Sequence, residues 1–423
     1  MLKKMKGYLF NEKYKRMITN FSYLSIINMV NKVLPLIVVP YIVRTIGVEK
    51  YGIIAFALAL VSYFILITKY SFDLTAVKYI SKHRENLLNI SKHFWLVMGT
   101  RIFLALCSFI IYMFIIFSFE RFSLEIEVFL FTFIMLFADI LMPLWFFRGI
   151  EEMKYIAIFN IIAKILYTLC IFMMIHHETE YFWIPLINSL SLVLVSFSAL
   201  YFAIKKFGIL FIPPHMNDIK NALKEGKDIF WSNMSVSFYT TINTVLLGFL
   251  STYTVVGIYS LALSIFSAYN SIIKTYTMVI YPHLARYIDD IQKLYTQARK
   301  FFKLYLLVLV AASAFLFIIS DFVITLLFGE GHEESITILK ILAIALLVEP
   351  LGGFFTAYLS LKSEYKTIRS ITFKTMILNL ILVVPMILLF NAKGVAYLLL
   401  ILALVQVTLN LLHNREIIYM RTK

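Results

Sequence analysis

Acidic residues, cysteines and long polar stretches are all scarce in this chain. Asp and Glu together number 24 of 423 residues, and charged residues make up 15%, where soluble domains carry roughly a quarter. That shortage excludes an ordinary soluble enzyme. Only Cys107 and Cys170 occur, both inside apolar runs, which excludes a disulfide framework and leaves no metal-ligand spacing around either. The polar links hold no phosphate-cradling Gly-Lys loop and no acidic metal motif, so a built-in ATPase is excluded as well. His176 and His177 stand side by side, but no third metal ligand accompanies them.

Apolar residues fill the space that charge leaves. They make up 61% of the chain, with a mean hydropathy of +0.85, and runs of roughly 20, enough to cross a bilayer, recur from end to end. The 39 Phe and 26 Tyr suit a lipid-facing surface edged by aromatic rings. Hydrocarbon offers backbone groups no water, and the runs lack the alternation of a barrel, so helices are expected. Twelve spans are predicted, at 18–43, 49–71, 94–118, 124–147, 155–175, 181–204, 228–250, 255–280, 302–320, 335–360, 367–390 and 393–412. The expected fold is an all-α polytopic membrane protein of twelve transmembrane helices in two six-helix bundles, 18–204 and 228–412. Residues 1–17 read as a basic amphipathic surface segment rather than a cleaved leader, and 413–423 as a tail. The cytoplasmic link 205–227 carries Pro213-Pro214 and reads as a hinge or connector.

Basic residues orient the spans. With the N-terminus inside, the inner links hold most Lys and Arg, whereas the outer links hold only Arg44 and Arg121, with Lys393 just past the last of them. The outer link 321–334 has neither residue type. This positive-inside pattern places both termini in the cytoplasm. The net charge of +15 is spread over short inter-span links, not one soluble face, which argues against a nucleic-acid partner. TIGVEKYGIIAFALALVSY (45–63) resembles STYTVVGIYSLALSIFSAY (251–269), hinting at two repeats of like orientation.

Charges inside spans are costly and therefore informative. Lys69, Arg101 and Lys340 lie near span ends, where snorkelling explains them. Lys32, Lys164, Lys274 and Lys374 lie deeper and are candidates for lining a cavity. Lys32 shares a polar face with Asn28, Asn31 and Pro35, and Lys274 shares one with Asn270 and Ser267. Converging cations suit an anionic substrate such as a phosphate or diphosphate head group. The seventh span offers Asn233, Ser237, Thr240, Thr241, Asn243 and Thr244, equally suited to sugar hydroxyls and to helix packing. Asp139 and Glu349 are candidates for carrying a proton or cation, or for pairing with a lysine; the structural role is favoured for Glu349. Pro35, Pro40, Pro143 and Pro385 are the expected bends.

The segment 31–86, with Pro40, Arg44, Gly47, Glu49, Tyr51, Gly52 and AVKYISKHRE, resembles the opening of the bacterial polysaccharide-unit flippases. These form the O-antigen transporter branch of the multidrug/oligosaccharidyl-lipid/polysaccharide exporter superfamily. Gly257, Tyr259, Pro282 and Leu284 continue the resemblance in the second half; Asp73 departs from it and is read as a cap or partner for Lys69. The resemblance implies two bundles around a central cavity that opens alternately to either side of the bacterial inner membrane. It implies as substrate an oligosaccharide on undecaprenyl diphosphate, with a polymerase and a ligase acting afterwards. Contacts to that substrate are expected from Lys32, Lys164, Lys274, Lys374, Asn31, Asn270 and Asn243, with Arg44 at an outer gate or on the head group. No cofactor is expected beyond a proton or sodium gradient. The rival readings are a multidrug exporter of the same superfamily, a peptidoglycan-precursor flippase, and a membrane polymerase or ligase. The short outer links, nearly devoid of Lys and Arg, argue against the last.

Overall fold

The computed structural model describes Tyr23, Ile27, Val30, Asn31 and residues 33–414. The segment 1–17, most of 413–423, Asn28, Lys32 and the Thr240 side chain lie outside the described residues. The described chain is all-α and polytopic, with nine helices long and apolar enough to cross a membrane. The helices are α1 (Pro35–Lys69), α2 (Phe72–Lys82), α3 (Leu87–Ser118), α4 (Glu120–Ser123), α5 (Ile126–Leu141), α6 (Leu144–Gly149) and α7 (Met153–Met174). They continue with α8 (Trp183–Phe207), α9 (Met216–Thr240), α10 (Ile242–Leu250), α11 (Tyr253–Ala285), α12 (Ile291–Phe328), α13 (Glu333–Leu361) and α14 (Tyr365–His413).

Where the helices break follows backbone chemistry. Pro40 and Pro385 sit inside α1 and α14 without interrupting them; the non-helical residues are Gly47 (φ 77°) and Asn391 (φ 49°). Proline's fixed φ is helix-compatible and costs one hydrogen bond, whereas a sharp redirection needs positive φ, which glycine and asparagine tolerate. The links expected at 44–48 and 391–392 thus shrink to single-residue breaks. Pro143 does act as a breaker: Met142 is extended before it and separates α5 from α6. Helices α3 and α9 begin well before the predicted starts of their spans, at Leu87 and Met216.

The chain clusters into two compact units: Ala57–Met234, and Pro35–Phe56 together with the chain from Ser235 onward. In the first, α8 packs on α5 and α7, and α2 packs on α6. In the second, α13 packs against α11, α12 and α14. Nearly three quarters of its apolar window is buried, as expected of a helix hydrophobic all round. In contrast, α3, α7 and α12 leave Ile110, Phe114, Met173 and Ile318 exposed, the surface that hydrocarbon covers.

The connector between α8 and α9 is anchored along its first half. Gly208 (φ 64°) ends α8 in the left-handed region. Leu210 N then donates to Ser91 Oγ at 3.0 Å, and Trp95 Nε1 donates to Leu210 O at 2.9 Å. Pro214 sits so tightly on Gly99 that a Cβ there would lie 2.7 Å from the proline ring. The connector lies as a strap across the start of α3.

Candidate functional site

Each unit holds a cavity with one carboxylate in its wall. In the second, Asn270 and Lys274 are four residues apart on α11 and so share a face. That face meets α13 at Glu349. Lys274 Nζ lies 2.9 Å from Glu349 Oε1, and Asn270 Nδ2 donates to Glu349 Oε2 at 2.9 Å. Asn243, Ser267, Lys274, Glu349, Thr375 and Gln406 contribute to the lining of a cavity of about 260 Å³. Asn243 and Asn270 each bury an Oδ1 that has no hydrogen-bond partner among the described residues. Leaving such an acceptor unsatisfied costs roughly 1–3 kcal/mol, so the oxygen of Asn243, which lines the cavity, favours a ligand that brings hydroxyl donors. The Lys274 side chain remains 49% exposed, and its charge is accessible to an anion.

The first unit was only half legible from its residue types. Arg101, buried in α3, donates through NH2 to Asp139 Oδ2 on α5, and Lys69 Nζ lies 3.1 Å from Asp139 Oδ1. Two cations thus share one carboxylate, leaving the cluster with a formal charge of +1. A cavity of about 170 Å³ beside it is lined in part by Met135, Asp139, Asn160 and Ser196. Snorkelling does not account for these charges. Arg101 is buried and paired, Lys69 turns to Asp139, and Lys340 pairs with Asp321 at 2.6 Å. The reason is electrostatic: an acid within reach on a neighbouring helix holds a cation better than an extended stem does. Asp73 does not partner Lys69; it lies 3.6 Å from Arg148 at the start of α2. The only sequence signal for the triad was the co-occurrence of Lys69, Arg101 and Asp139 in different spans.

The remaining candidates are dispersed. Lys164 is half-buried on α7, one turn beyond the cavity-lining Asn160. Lys374 is exposed on α14, and its neighbour Thr375 lines the second cavity instead. Asn31 is half-buried. Arg44 donates to Leu327 O at 2.9 Å and to Leu326 O at 2.6 Å, holding the last turn of α12. A guanidinium there satisfies orphan carbonyls and complements the negative helix end. His176 and His177 donate their backbone N–H groups to Glu180 Oε2, a loop arrangement rather than a metal pair. Among the described residues no group of three or more His, Cys, Asp or Glu is arranged to hold a metal ion.

The fold and residues have known counterparts. The family described as "Polysaccharide biosynthesis protein" matches residues 17–288. A protein of Escherichia coli (strain K12) named "Putative O-antigen transporter" is 25% identical over 380 residues, covering 89% of this chain and 91% of its own. Among solved structures, "Lipid II flippase MurJ, inward closed conformation" superimposes with a TM-score of 0.74 at 15% identity, over 94% of this chain and 87% of that one. An inward-facing multidrug resistance MATE family transporter of the MOP superfamily gives 0.65 at 14%, over 94% and 97%. The two solved structures share this fold, and the chain belongs to the polysaccharide biosynthesis protein family.

Proposed function

We propose that this chain is a flippase of the bacterial inner membrane. It moves undecaprenyl-diphosphate-linked oligosaccharide units, of O-antigen or a similar surface polysaccharide, from the cytoplasmic to the periplasmic leaflet. The observation that carries the reading is the second-unit cavity, whose lining joins the accessible ammonium of Lys274 to Asn243, a buried amide whose oxygen lacks a donor among the described residues. Together they receive an anion and hydroxyl groups, the two chemistries of a sugar diphosphate. Family membership supports it, as does the similarity to an O-antigen transporter of nearly equal length.

In this reading the chain has twelve crossings, with breaks at Gly47 and Asn391 separating successive spans, and both termini cytoplasmic. Two six-helix bundles, 18–204 and 228–412, joined by 205–227, flank a central cavity and alternate its opening. The lipid tail stays in the bilayer. Lys32, Lys164 and Lys374 add positive charge for the head group, Asn31 adds a polar contact, and Arg44 steadies the outer end of α12 as a gate post. Glu349 exchanges Lys274 with the arriving diphosphate and is the better candidate for proton or sodium coupling. Asp139, held between two cations, is committed to structure. A polymerase and a ligase take the product.

The test is leaflet accessibility of a lipid-linked oligosaccharide in reconstituted vesicles, comparing the intact protein with Lys274→Ala. Translocation by the intact protein and its loss in the variant support both the function and the site. Failure by the intact protein with a matched lipid, alongside export of cationic drugs, moves the multidrug-exporter reading to the front.

A further inference from the structure

A further cavity in the first unit shares no lining residue with the one beside Asp139. It has a volume of about 530 Å³ and is bounded by α2, the start of α3, the connector strap and the start of α9. Its depth follows from helix geometry. A hydrocarbon core of about 30 Å takes about 20 helical residues. Counting back from Ser118, the far end of α3, that length reaches the region of Gly99, where Pro214 rests. Ser91 and Trp95, and the strap residues bonded to them, therefore fall in the head-group layer, where tryptophan concentrates.

The strap has two chemically different sides. Leu210, Phe211 and Met216 are strongly exposed, as are Leu87 and Leu88 at the start of α3. Phe211 packs edge-on against Trp95, with ring centroids 4.7 Å apart. Ile212, Pro213, Pro214 and His215 line the cavity instead. Apolar groups outside and a polar cavity within suit an amphiphile whose tail stays in lipid. The polar lining carries both signs: Lys92 faces the same space as Asp218 and Glu225, alongside the imidazoles of His93 and His215. His93 stacks on Tyr79, at 3.9 Å between centroids, and buries an Nε2 with no partner among the described residues. Asp218 Oδ2 already accepts from His215 N at 3.2 Å, while the Glu225 carboxylate is exposed.

From this arrangement we propose that the cavity binds the head group of an amine-bearing phospholipid from the leaflet on this side. The phosphodiester meets Lys92 and His93, and the primary ammonium meets Glu225 and Asp218. A purely anionic lipid would leave both acids facing its charge. A quaternary ammonium has no N–H to donate to them. The inference rests on the membrane reading of the chain but not on the transported substrate.

The test is native mass spectrometry of the full chain, delipidated and then offered phosphatidylethanolamine, phosphatidylcholine, phosphatidylglycerol or inorganic phosphate. One phosphatidylethanolamine is expected to be retained per chain, at least about tenfold more tightly than the other three, one decade in Kd. Lys92→Ala and Glu225→Gln are expected to remove that preference, and Lys92→Arg to restore it. Both side chains are exposed, so the variants fold, which elution and thermal unfolding check. Equal retention of all three lipids, preference for phosphatidylglycerol, binding of phosphate alone, or an unchanged preference in the variants would each overturn the proposal. Transport plays no part in this readout, so its failure and that of the flippase reading are distinguishable.

Discussion

Gly52 and Gly257 each occupy the spot where the other's helix comes closest. A Cβ on Gly52 would lie 1.9 Å from Tyr253 O, and one on Gly257 would lie 2.2 Å from Val48 O. Gly52 and Gly257 are 205 positions apart, and so are Val48 and Tyr253. The contact is therefore reciprocal when Gly52 is matched to Gly257, one position off the end-to-end match of the similar segments 45–63 and 251–269. Small residues permit the close helix approach that membranes favour.

Gly52→Ala and Gly257→Ala are therefore expected to be severe, because the obstruction in each case is backbone that cannot rotate away. Overpacking typically costs about 1–3 kcal/mol, and these positions belong at the upper end. Gly353→Ala, where a Cβ meets nothing within 4 Å, is the control. Thermal unfolding of the purified variants in detergent measures the difference, and equal midpoints for all three would contradict the close contact.

Lys274→Ala and Glu349→Gln should separate transport from stability. The pair is partly exposed, so screening limits its stabilising contribution to about 1 kcal/mol or less. Lys274→Ala should leave unfolding nearly unchanged while reducing translocation at least about tenfold, a loss of about 1.4 kcal/mol in transition-state binding. A variant that unfolds early yet transports normally would reverse that assignment.

Arg101 behaves oppositely. It is buried, and removing one partner of a buried pair costs about 3–5 kcal/mol. Arg101→Ala is expected to lower the unfolding midpoint, and the triple variant Arg101→Met, Asp139→Leu and Lys69→Met, which leaves no charge of the cluster unpaired, to recover part of the loss. The double variant Arg101→Met with Asp139→Leu, which strands Lys69, should recover less, and comparison of these midpoints decides it.

A pH dependence is expected outside the membrane spans, in the loop before α8. Glu180 accepts the backbone N–H groups of His176 and His177, and these bonds hold its carboxyl below the usual carboxylate value. A depressed folded-state value means the stabilisation is present above the unfolded-state range and is lost as pH falls through the folded one. Protection of the amides at residues 176–181, taken relative to their intrinsic exchange rates, should therefore fall at acid pH in the parent chain. In Glu180→Gln it should already be low at neutral pH, with little further acid response.

Much of this molecule was legible one segment at a time. Length, apolar runs and scarce charge determined an all-α polytopic protein, because hydrocarbon permits no unpaired backbone. The faces at Asn270/Lys274 and the two tight links were also readable, since helical periodicity and positive-φ residues are local properties. Partnership was not local. That Arg101 and Lys69 converge on Asp139, that Glu349 receives both Lys274 and Asn270, and that Arg44 closes the end of α12 depend on which helices pack together. No spacing within one span encodes that choice. The connector makes the same point: its prolines suggested a hinge or connector, and its contacts with Ser91, Trp95 and Gly99 were not readable from them. The sequence determined which groups could not remain alone in lipid, and only the tertiary structure decided which neighbour satisfied each of them, because desolvation is a property of a residue and pairing is a property of a place.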